Sequence, residues 1–402
     1  MPQPLPLALS RRPGLHSSSL HGCGALGVGL LLLGAGLGLV ALGCGGEETP
    51  APRTARAAHA ADESGGATAT GSVSSMGDSA LEPTAKEALK SEDWPRAESL
   101  YRELARRQPR NPAGKRGLGE ALMKQDKNDK AVEALQGSLD IADDVRTRLD
   151  IAVAYGAMNR YPSALPHLRK AIKMAPENPA TWAALADTLV KVEKPDGAAD
   201  VLDESRGPCA ACEKDEAWGH AADETAEALA AKTTQLLAAN DTAGARKAAD
   251  AAAKLRPDLP ATHLAEAKVA RAGGDTKQAA TEYRKALEGF ADAKSEPATT
   301  ARLELAGLLL ADGDGAEAAK LARQVVDARG DSPAALDTLG RACDATKDVD
   351  CARGAYDKLT KLPPSADLSK ETVDHARQRM KELKGKKAKN KSKAKGKGKR
   401  RH

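Results

Sequence analysis

The stretch Asn178–Leu202, NPATWAALADTLVKVEKPDGAADVL, contains the pattern that decides the fold. Asn178 before Pro179 is typical of a helix start. The asparagine side chain can accept a hydrogen bond from a free backbone N–H group, and proline is tolerated at the first helical position. Small residues Ala186 and Ala198 then lie twelve positions apart, each among apolar residues at helical spacing. The stretch therefore predicts two short helices that approach closely through small residues.

The same pattern recurs along the chain. In each copy an alanine has a small residue twelve positions earlier, and threonine takes that place in the poorest copy. The pairs are Ala85/Ala97, Gly119/Ala131, Ala152/Ala164, Ala186/Ala198, Thr233/Ala245, Ala267/Ala279, Ala306/Ala318 and Gly340/Ala352. Four copies also carry a proline twelve positions after the second small residue, at Pro109, Pro176, Pro257 and Pro364. Internal repetition of this kind predicts an array of similar units.

The spacing of the copies is regular. Their predicted starts are Asp78, Pro112, Val145, Pro179, Ala226, Pro260, Thr299 and Pro333, near 34 residues apart. Thirteen extra residues separate the fourth and fifth copies, and five separate the sixth and seventh. Only 2% of the 402 residues are aromatic, whereas 41% are apolar. A core made mainly of alanine and leucine favours helix-on-helix packing over a β-sandwich or barrel.

The unit resembles the tetratricopeptide repeat, a helix–turn–helix of about 34 residues. The fourth copy carries the family's residue types at Trp182, Leu185, Ala186, Leu189, Ala198 and Leu202, and the third adds Tyr155, Ala171 and Pro176. The resemblance implies an all-α fold, a right-handed α-solenoid of about eight repeats over residues 83–366. Residues 367–384, which are polar with sparse apolar positions, are predicted to form the capping helix that such an array requires.

The resemblance also implies a concave groove that binds an extended peptide or a partner helix. The groove candidates on the first helices are Arg116, Glu120, Lys124, Arg146, Asp187, Lys191, Lys268 and Arg271. Their charges are mixed, and the Lys/Asn pattern by which some chaperone-binding members hold a terminal carboxylate is absent. Each of them could instead be an ordinary solvated surface residue.

The N-terminus has the order of a signal peptide. Arg11 and Arg12 precede an uncharged apolar run. The sequence Val40-Ala41-Leu42-Gly43-Cys44 then resembles the lipobox of bacterial lipoproteins, although the family usually has leucine where Ala41 stands. This resemblance implies a signal peptide over residues 1–43, a lipid on Cys44 and a flexible lipid-anchored linker over 44–82. An uncleaved single-span anchor and ordinary secretion are the alternatives.

These features predict a bacterial cell-envelope location with the solenoid outside the cytoplasm. Gly45 occupies the position where many inner-membrane lipoproteins carry a retention aspartate, which favours the outer membrane. Four further cysteines form two local pairs, Cys209/Cys212 and Cys343/Cys351. Local pairs are compatible with disulfides in an oxidising compartment. For Cys209/Cys212, a redox motif and half of a metal site with His220 remain alternatives.

The C-terminus is strongly basic. Residues 384–402 carry nine lysines and two arginines with no acid, so a disordered basic tail is predicted over 385–402. Without the thirteen cations of the two ends, the rest of the chain carries 48 basic and 56 acidic residues. The segment Lys384–Arg401 could bind a polyanion, with a steep salt dependence, or could remain a solvated tail.

No combination of residues points to catalysis. The sequence has no HExxH, no Walker loop and no GxSxG. We therefore predict no enzyme, no cofactor, no metal site and no small-molecule substrate. The predicted function is an envelope-anchored scaffold or assembly factor that binds protein partners. The alternative is a surface polyanion-binding protein that uses its basic tail, with the repeats as a spacer. A redox carrier using Cys209 and Cys212 is a third hypothesis.

Overall fold

The computed structural model describes residues 73–365 and 368–398, with side chains as far as Lys384. All regular structure in this part of the chain is helical, which confirms the predicted all-α fold. The helices are α1 Asp78–Lys90, α2 Trp94–Arg107, α3 Pro112–Met123, α4 Asn128–Leu139, α5 Val145–Ala157, α6 Tyr161–Met174, α7 Pro179–Lys191, α8 Pro195–Ser205, α9 Glu216–Ala238, α10 Thr242–Leu255, α11 Pro260–Ala272, α12 Thr276–Gly289, α13 Glu296–Asp312, α14 Gly315–Arg329, α15 Pro333–Ala345, α16 Val349–Lys361 and α17 Lys370–Gly398. A single 3₁₀ turn, Cys212–Lys214, precedes α9.

The helices form eight pairs, α1/α2 to α15/α16, followed by α17. Consecutive helices pack against each other along the array, and the first helices of most neighbouring pairs also touch. Six first helices begin at the predicted residue, namely α1, α3, α5, α7, α11 and α15. The other two begin earlier. Asp215 accepts hydrogen bonds from the N–H groups of Ala217 and Trp218, so α9 starts at Glu216 rather than at Ala226. Ser295 likewise caps α13.

Short polar side chains cap most of these helices. Asn111 and Asn178 accept hydrogen bonds from the second helical N–H, at 3.0 and 3.1 Å, directly before Pro112 and Pro179. Aspartates cap five second helices, at Asp93, Asp241, Asp275, Asp314 and Asp348. These caps fix where each helix begins, and the chain reverses direction just before them.

Every turn within a pair contains one left-handed residue. It lies five positions before the second small residue of the repeat in all eight cases. Six of these residues are not glycine: Glu92, Asp126, Asn159, Glu193, Asn240 and Lys347, with φ between 57° and 62°. Gly274 and Gly313 occupy the other two positions, with φ of 83° and 91°. The turn conformation is therefore common to all repeats, whatever residue adopts it.

Close approach of the paired helices depends on small residues. Ala186 and Ala198 are both fully buried in the fourth pair. In the eighth pair, a Cβ atom at Gly340 would lie 2.5 Å from a ring carbon of Tyr356. Tyr356 is itself fully buried, and its hydroxyl donates to Asp344 Oδ2 at 3.0 Å. Glycine at position 340 thus makes room for the tyrosine ring of the partner helix.

The two ends of the array differ from the predicted boundaries. α1 begins at Asp78, within the segment 44–82 that was expected to be a flexible linker, and it buries Leu81. Arg107 holds this start by donating to the carbonyl of Met76 at 2.6 Å. At the other end, α17 caps α15 and α16 with buried Ala376 and Leu383. It continues as helix to Gly398, beyond the predicted limit of 384, because lysine and alanine are good helix formers.

Candidate functional site

The first helices of the repeats carry the predicted groove residues, and most of these residues have partners. Arg116 lies 4.0 Å from Asp144, and Arg146 donates to Asp150 of its own helix at 3.1 Å. The ammonium of Lys124 lies 5.8 Å from the ring centroid of Trp94. The Arg146 contact lies within the third repeat, whereas the Arg116 and Lys124 contacts join the second repeat to the third and to the first.

The remaining basic candidates connect neighbouring repeats. Lys191 Nζ lies 3.7 Å from Glu224 Oε2 on α9. Lys268 on α11 donates to Thr234 Oγ1 on α9 at 2.9 Å. Arg271 on α11 pairs with Glu304 on α13. The first helices of the fourth to seventh repeats are therefore tied together by polar contacts along one face.

The acidic candidates, Glu120 and Asp187, take part in charge interactions that shift pKa values. Burial, together with the nearby charge of Glu120, raises the pKa of Tyr101 to about 12. Burial and the charge of Glu224 raise the pKa of Asp187 to about 6. The atom Asp187 Oδ1 is closed off from solvent and has no hydrogen-bond partner among the described residues.

A concave pocket of about 580 Å³ lies between α9, α11 and α13. It includes residues that follow α12, such as Phe290, in the connection that contains the five extra residues before the seventh repeat. α11 and α13 contact each other less than the other neighbouring first helices do. The longer connection therefore coincides with the opening between these two helices. A second pocket, which shares Thr300, continues from it along α13 towards the eighth repeat.

The wall of this pocket is mostly apolar, with two polar groups of unusual environment. Tyr283 is fully buried, and its hydroxyl has no hydrogen-bond partner in the described part of the chain. Lys268 also lines the pocket, and burial together with the charge of Arg271 lowers its pKa. A pocket of this size and polarity can accept an apolar group that carries a hydrogen-bond acceptor.

A second feature lies between α7 and α9. Ligand atoms of Asp187, His220 and Glu224 are all within 4.8 Å of one another. A similar group formed by His263, Glu266 and Glu282 is held by internal contacts, with His263 Nδ1 2.9 Å from Glu282 Oε2 and Lys285 donating to Glu282. From the sequence, Asp187 was predicted as a groove residue and His220 only as an alternative ligand beside Cys209 and Cys212, although the four-residue spacing of His220 and Glu224 could have indicated a shared helix face.

The structure joins the cysteines of both local pairs. The Cα atoms are 5.3 Å apart for Cys209 and Cys212 and 5.8 Å apart for Cys343 and Cys351. Cys209 and Cys212 are buried beside Trp218, in the connection that precedes α9. His220 is placed with the carboxylates of Asp187 and Glu224 rather than in a cluster with these cysteines.

Other predicted sites lie outside the described residues. These are Cys44, the signal segment 1–43, most of the linker and the side chains of the basic segment beyond Lys384. Polyanion binding by Lys384–Arg401 stays a prediction. Between residues 73 and 398, none of the helices combines the length and the apolar character that crossing a membrane requires.

Comparison with known families identifies the repeat. Two family models described as tetratricopeptide repeat match the chain, one at residues 84–145, 264–333 and 303–367 and the other at 157–206. Together they cover more than half of the chain. No protein of curated function matches it in a sequence search.

Several solved structures match parts of the chain. The C-terminal part of a tetratricopeptide repeat-containing protein from Cytophaga hutchinsonii is 14% identical, with a TM-score of 0.48, over 64% of this chain and 99% of that one. Yeast Tom70 is 15% identical, with a TM-score of 0.35, over 73% of this chain and 60% of its own. A chain of the APC/C hetero-tetramer Cut9–Hcn1 is 12% identical, with a TM-score of 0.35, over 74% of this chain and 55% of its own. The protein thus spans less than two thirds of the last two.

The stacked helix pairs form an α-solenoid, and its first helices line a face that contains pockets. Solenoids of this kind serve as binding scaffolds. Within that class the family models decide the assignment. The chain belongs to the tetratricopeptide-repeat family.

Proposed function

We propose that this protein is a scaffold that binds a segment of a partner protein on the face formed by α9, α11 and α13. The observation that carries the proposal is the pocket around Lys268 and Tyr283. The Lys268 ammonium lies beside an apolar wall to which the buried Tyr283 contributes, and this ammonium gains from a hydrogen-bond acceptor brought by a ligand. The occupant that fits is an apolar side chain next to a backbone carbonyl or a carboxylate.

The binding contribution of this pocket can be bounded. Burying one leucine- or phenylalanine-sized side chain contributes about 1.5–3 kcal/mol. A substitution that fills the pocket with a larger side chain of the protein itself should therefore weaken partner binding by at least about tenfold, because a tenfold change in affinity corresponds to about 1.4 kcal/mol. We infer no catalytic role, because tetratricopeptide repeats typically bind partners and the described face lacks a nucleophile paired with a base.

A tryptophan substitution tests the pocket directly. Thr300 is exposed on the pocket wall, so Thr300→Trp should fill the cavity without disturbing the core. Thr281→Trp is the matched control, since Thr281 is exposed on α12 outside this pocket. Partner proteins recovered from extracts of the native cells should be retained by the control and lost by Thr300→Trp. Equal recovery by both variants would contradict the proposed role of the pocket.

We further propose that a lipid on Cys44 anchors the scaffold to a bacterial envelope, the outer membrane being favoured by Gly45. Support comes from the order of Arg11 and Arg12, the apolar run and the lipobox-like residues before Cys44. One lipid chain alone binds a membrane marginally, whereas two or three chains anchor a protein stably. Mass spectrometry of the N-terminal peptide from the membrane fraction tests this idea. An acylated peptide that begins at Cys44 is expected, and an unmodified cysteine in a soluble protein would refute the anchor.

A further inference from the structure

The junction between the fourth and fifth repeats contains a set of potential metal ligands on two helices. His220 and Glu224 are four residues apart on α9, so they lie on one face of that helix. Asp187 on α7 comes from the preceding repeat. The candidate ligand atoms of the three side chains lie within 4.8 Å of one another. The arrangement therefore joins one nitrogen ligand and two carboxylates across the boundary between two repeats.

The environment of Asp187 is an independent observation at this group. Asp187 Oδ1 is inaccessible to solvent and accepts no hydrogen bond from any residue that the structure describes. A buried carboxylate oxygen without a partner is energetically unfavourable, and a second carboxylate beside it adds repulsion. The neighbouring Lys191 Nζ lies 3.7 Å from Glu224 Oε2, and neither it nor any other described group donates to Asp187 Oδ1. A cation between the three side chains would satisfy this oxygen and neutralise the pair of carboxylates.

The extra residues of the chain build this arrangement. α9 starts at Glu216, ten residues before the predicted start of the fifth repeat at Ala226, and His220 and Glu224 both lie in this extension. Trp218 anchors the extension, because its ring is buried and its Nε1–H donates to Ser205 Oγ at 2.9 Å. That contact fixes the rotation of the helix, so that His220 and Glu224 are presented towards α7.

We propose that Asp187, His220 and Glu224 bind a divalent transition-metal ion that clips the fourth repeat to the fifth. One imidazole with two carboxylates suits zinc and its neighbours better than magnesium or calcium, which prefer oxygen ligands alone. Ligand atoms at about 2.1 Å from zinc lie about 3.4 Å apart in a tetrahedron, so the most widely separated ligand atoms need to approach one another by up to about 1.4 Å. Three protein ligands leave the fourth position to water. This inference does not depend on the proposed function.

Zinc titration of the full-length, metal-stripped protein tests the site. Isothermal titration calorimetry should detect one equivalent of bound Zn²⁺, and binding should raise the thermal midpoint. His220 is exposed, so His220→Gln should fold normally, and Asp187→Asn keeps the size of the side chain. Both variants should bind zinc at least tenfold more weakly. His263→Gln is the matched control, because it removes a histidine from the other cluster and should leave the affinity unchanged.

Three outcomes would overturn the proposal. The first is the absence of stoichiometric zinc binding to the wild type. The second is wild-type affinity in both His220→Gln and Asp187→Asn. The third is binding that survives in His220→Gln but disappears in Cys209→Ser, because thiolates would then be the ligands. Co²⁺ as a spectroscopic probe separates these cases, since thiolate coordination adds a strong charge-transfer band that nitrogen and oxygen ligands do not.

Discussion

The close approach of the eighth helix pair can be tested by adding a single methyl group. In Gly340→Ala the new Cβ would lie 2.5 Å from Tyr356 Cε1 and 2.8 Å from two further ring carbons. The ring cannot easily withdraw, because it is fully buried and its hydroxyl is bonded to Asp344. Asp344 is held in turn by Arg379 Nε at 2.9 Å. The substitution therefore forces overpacking rather than a simple rotamer change.

The expected magnitude follows from two opposing effects. Overpacking of a rigid core costs about 3 kcal/mol at the upper end of its usual range. Replacing a helical glycine by alanine recovers about 1 kcal/mol, which leaves about 2 kcal/mol of net destabilisation. Gly354→Ala is the control on α16, where an added Cβ meets nothing within 4 Å, and it should stabilise by about 1 kcal/mol. The two variants should thus differ by about 3 kcal/mol.

Native-state hydrogen exchange of the amides in α15 and α16 measures this difference where it arises. A difference of about 3 kcal/mol corresponds to roughly a hundredfold faster exchange in Gly340→Ala than in Gly354→Ala. In a Tyr356→Leu background, adding Gly340→Ala should change the exchange rates little, because the clash requires the tyrosine ring. Equal exchange in the two single variants would refute the packing argument.

Three further predictions concern other parts of the array. Glu193→Gly should raise stability by about 1 kcal/mol in urea denaturation, because Glu193 has φ of 60°, and a lower midpoint would contradict this. Ser205→Ala should destabilise by about 1–3 kcal/mol in the same assay, because it leaves the buried indole N–H of Trp218 without an acceptor, and an unchanged midpoint would exclude that role. The hydrogen bond from Arg148 holds the pKa of Asp143 at about 2, below its usual 3.8, so the stabilisation is complete above that usual value and is lost as pH falls towards 2. Asp143→Asn should therefore show a flatter stability profile over this range in thermal melts, and an unaltered profile would refute the assignment.

The architecture was predictable because it depends on local residue patterns. Caps such as Asn111 and Asn178 before proline marked helix starts that the structure reproduces. The start of α9 was missed, since the small-residue pattern places Ala226 in a repeat but does not show that the helix extends back to Glu216. A left-handed backbone conformation could be predicted from the sequence only where glycine occupies the turn position. A glutamate or a lysine, such as Glu193 or Lys347, does not indicate a positive φ.

The candidate sites were less predictable than the fold. The pocket is formed by three helices and a connection, and its most unusual group, Tyr283, belongs to a second helix, whereas the predicted groove residues were placed on first helices. The cluster at the repeat junction needs Asp187 to lie beside residues more than thirty positions away. In both places extra residues between repeats supply part of the site, and a repeat pattern contains no information about residues that depart from it.

The common left-handed turn has a consequence for how this chain can be cut and joined. The backbone turns in the same conformation at Asp126 and at Asn159. If the chain were cut at both positions and the outer ends were joined, the backbone on the two sides of the new bond would have the same conformation. Deleting the residues from one turn to the next would remove α4 and α5, the second helix of one pair and the first helix of the next. Helices α3 and α6 would then form a hybrid pair around a turn of the same shape. The length of the array can therefore change by duplication or loss of about one repeat, with a new helix pair at the junction and unchanged internal contacts in the pairs away from it.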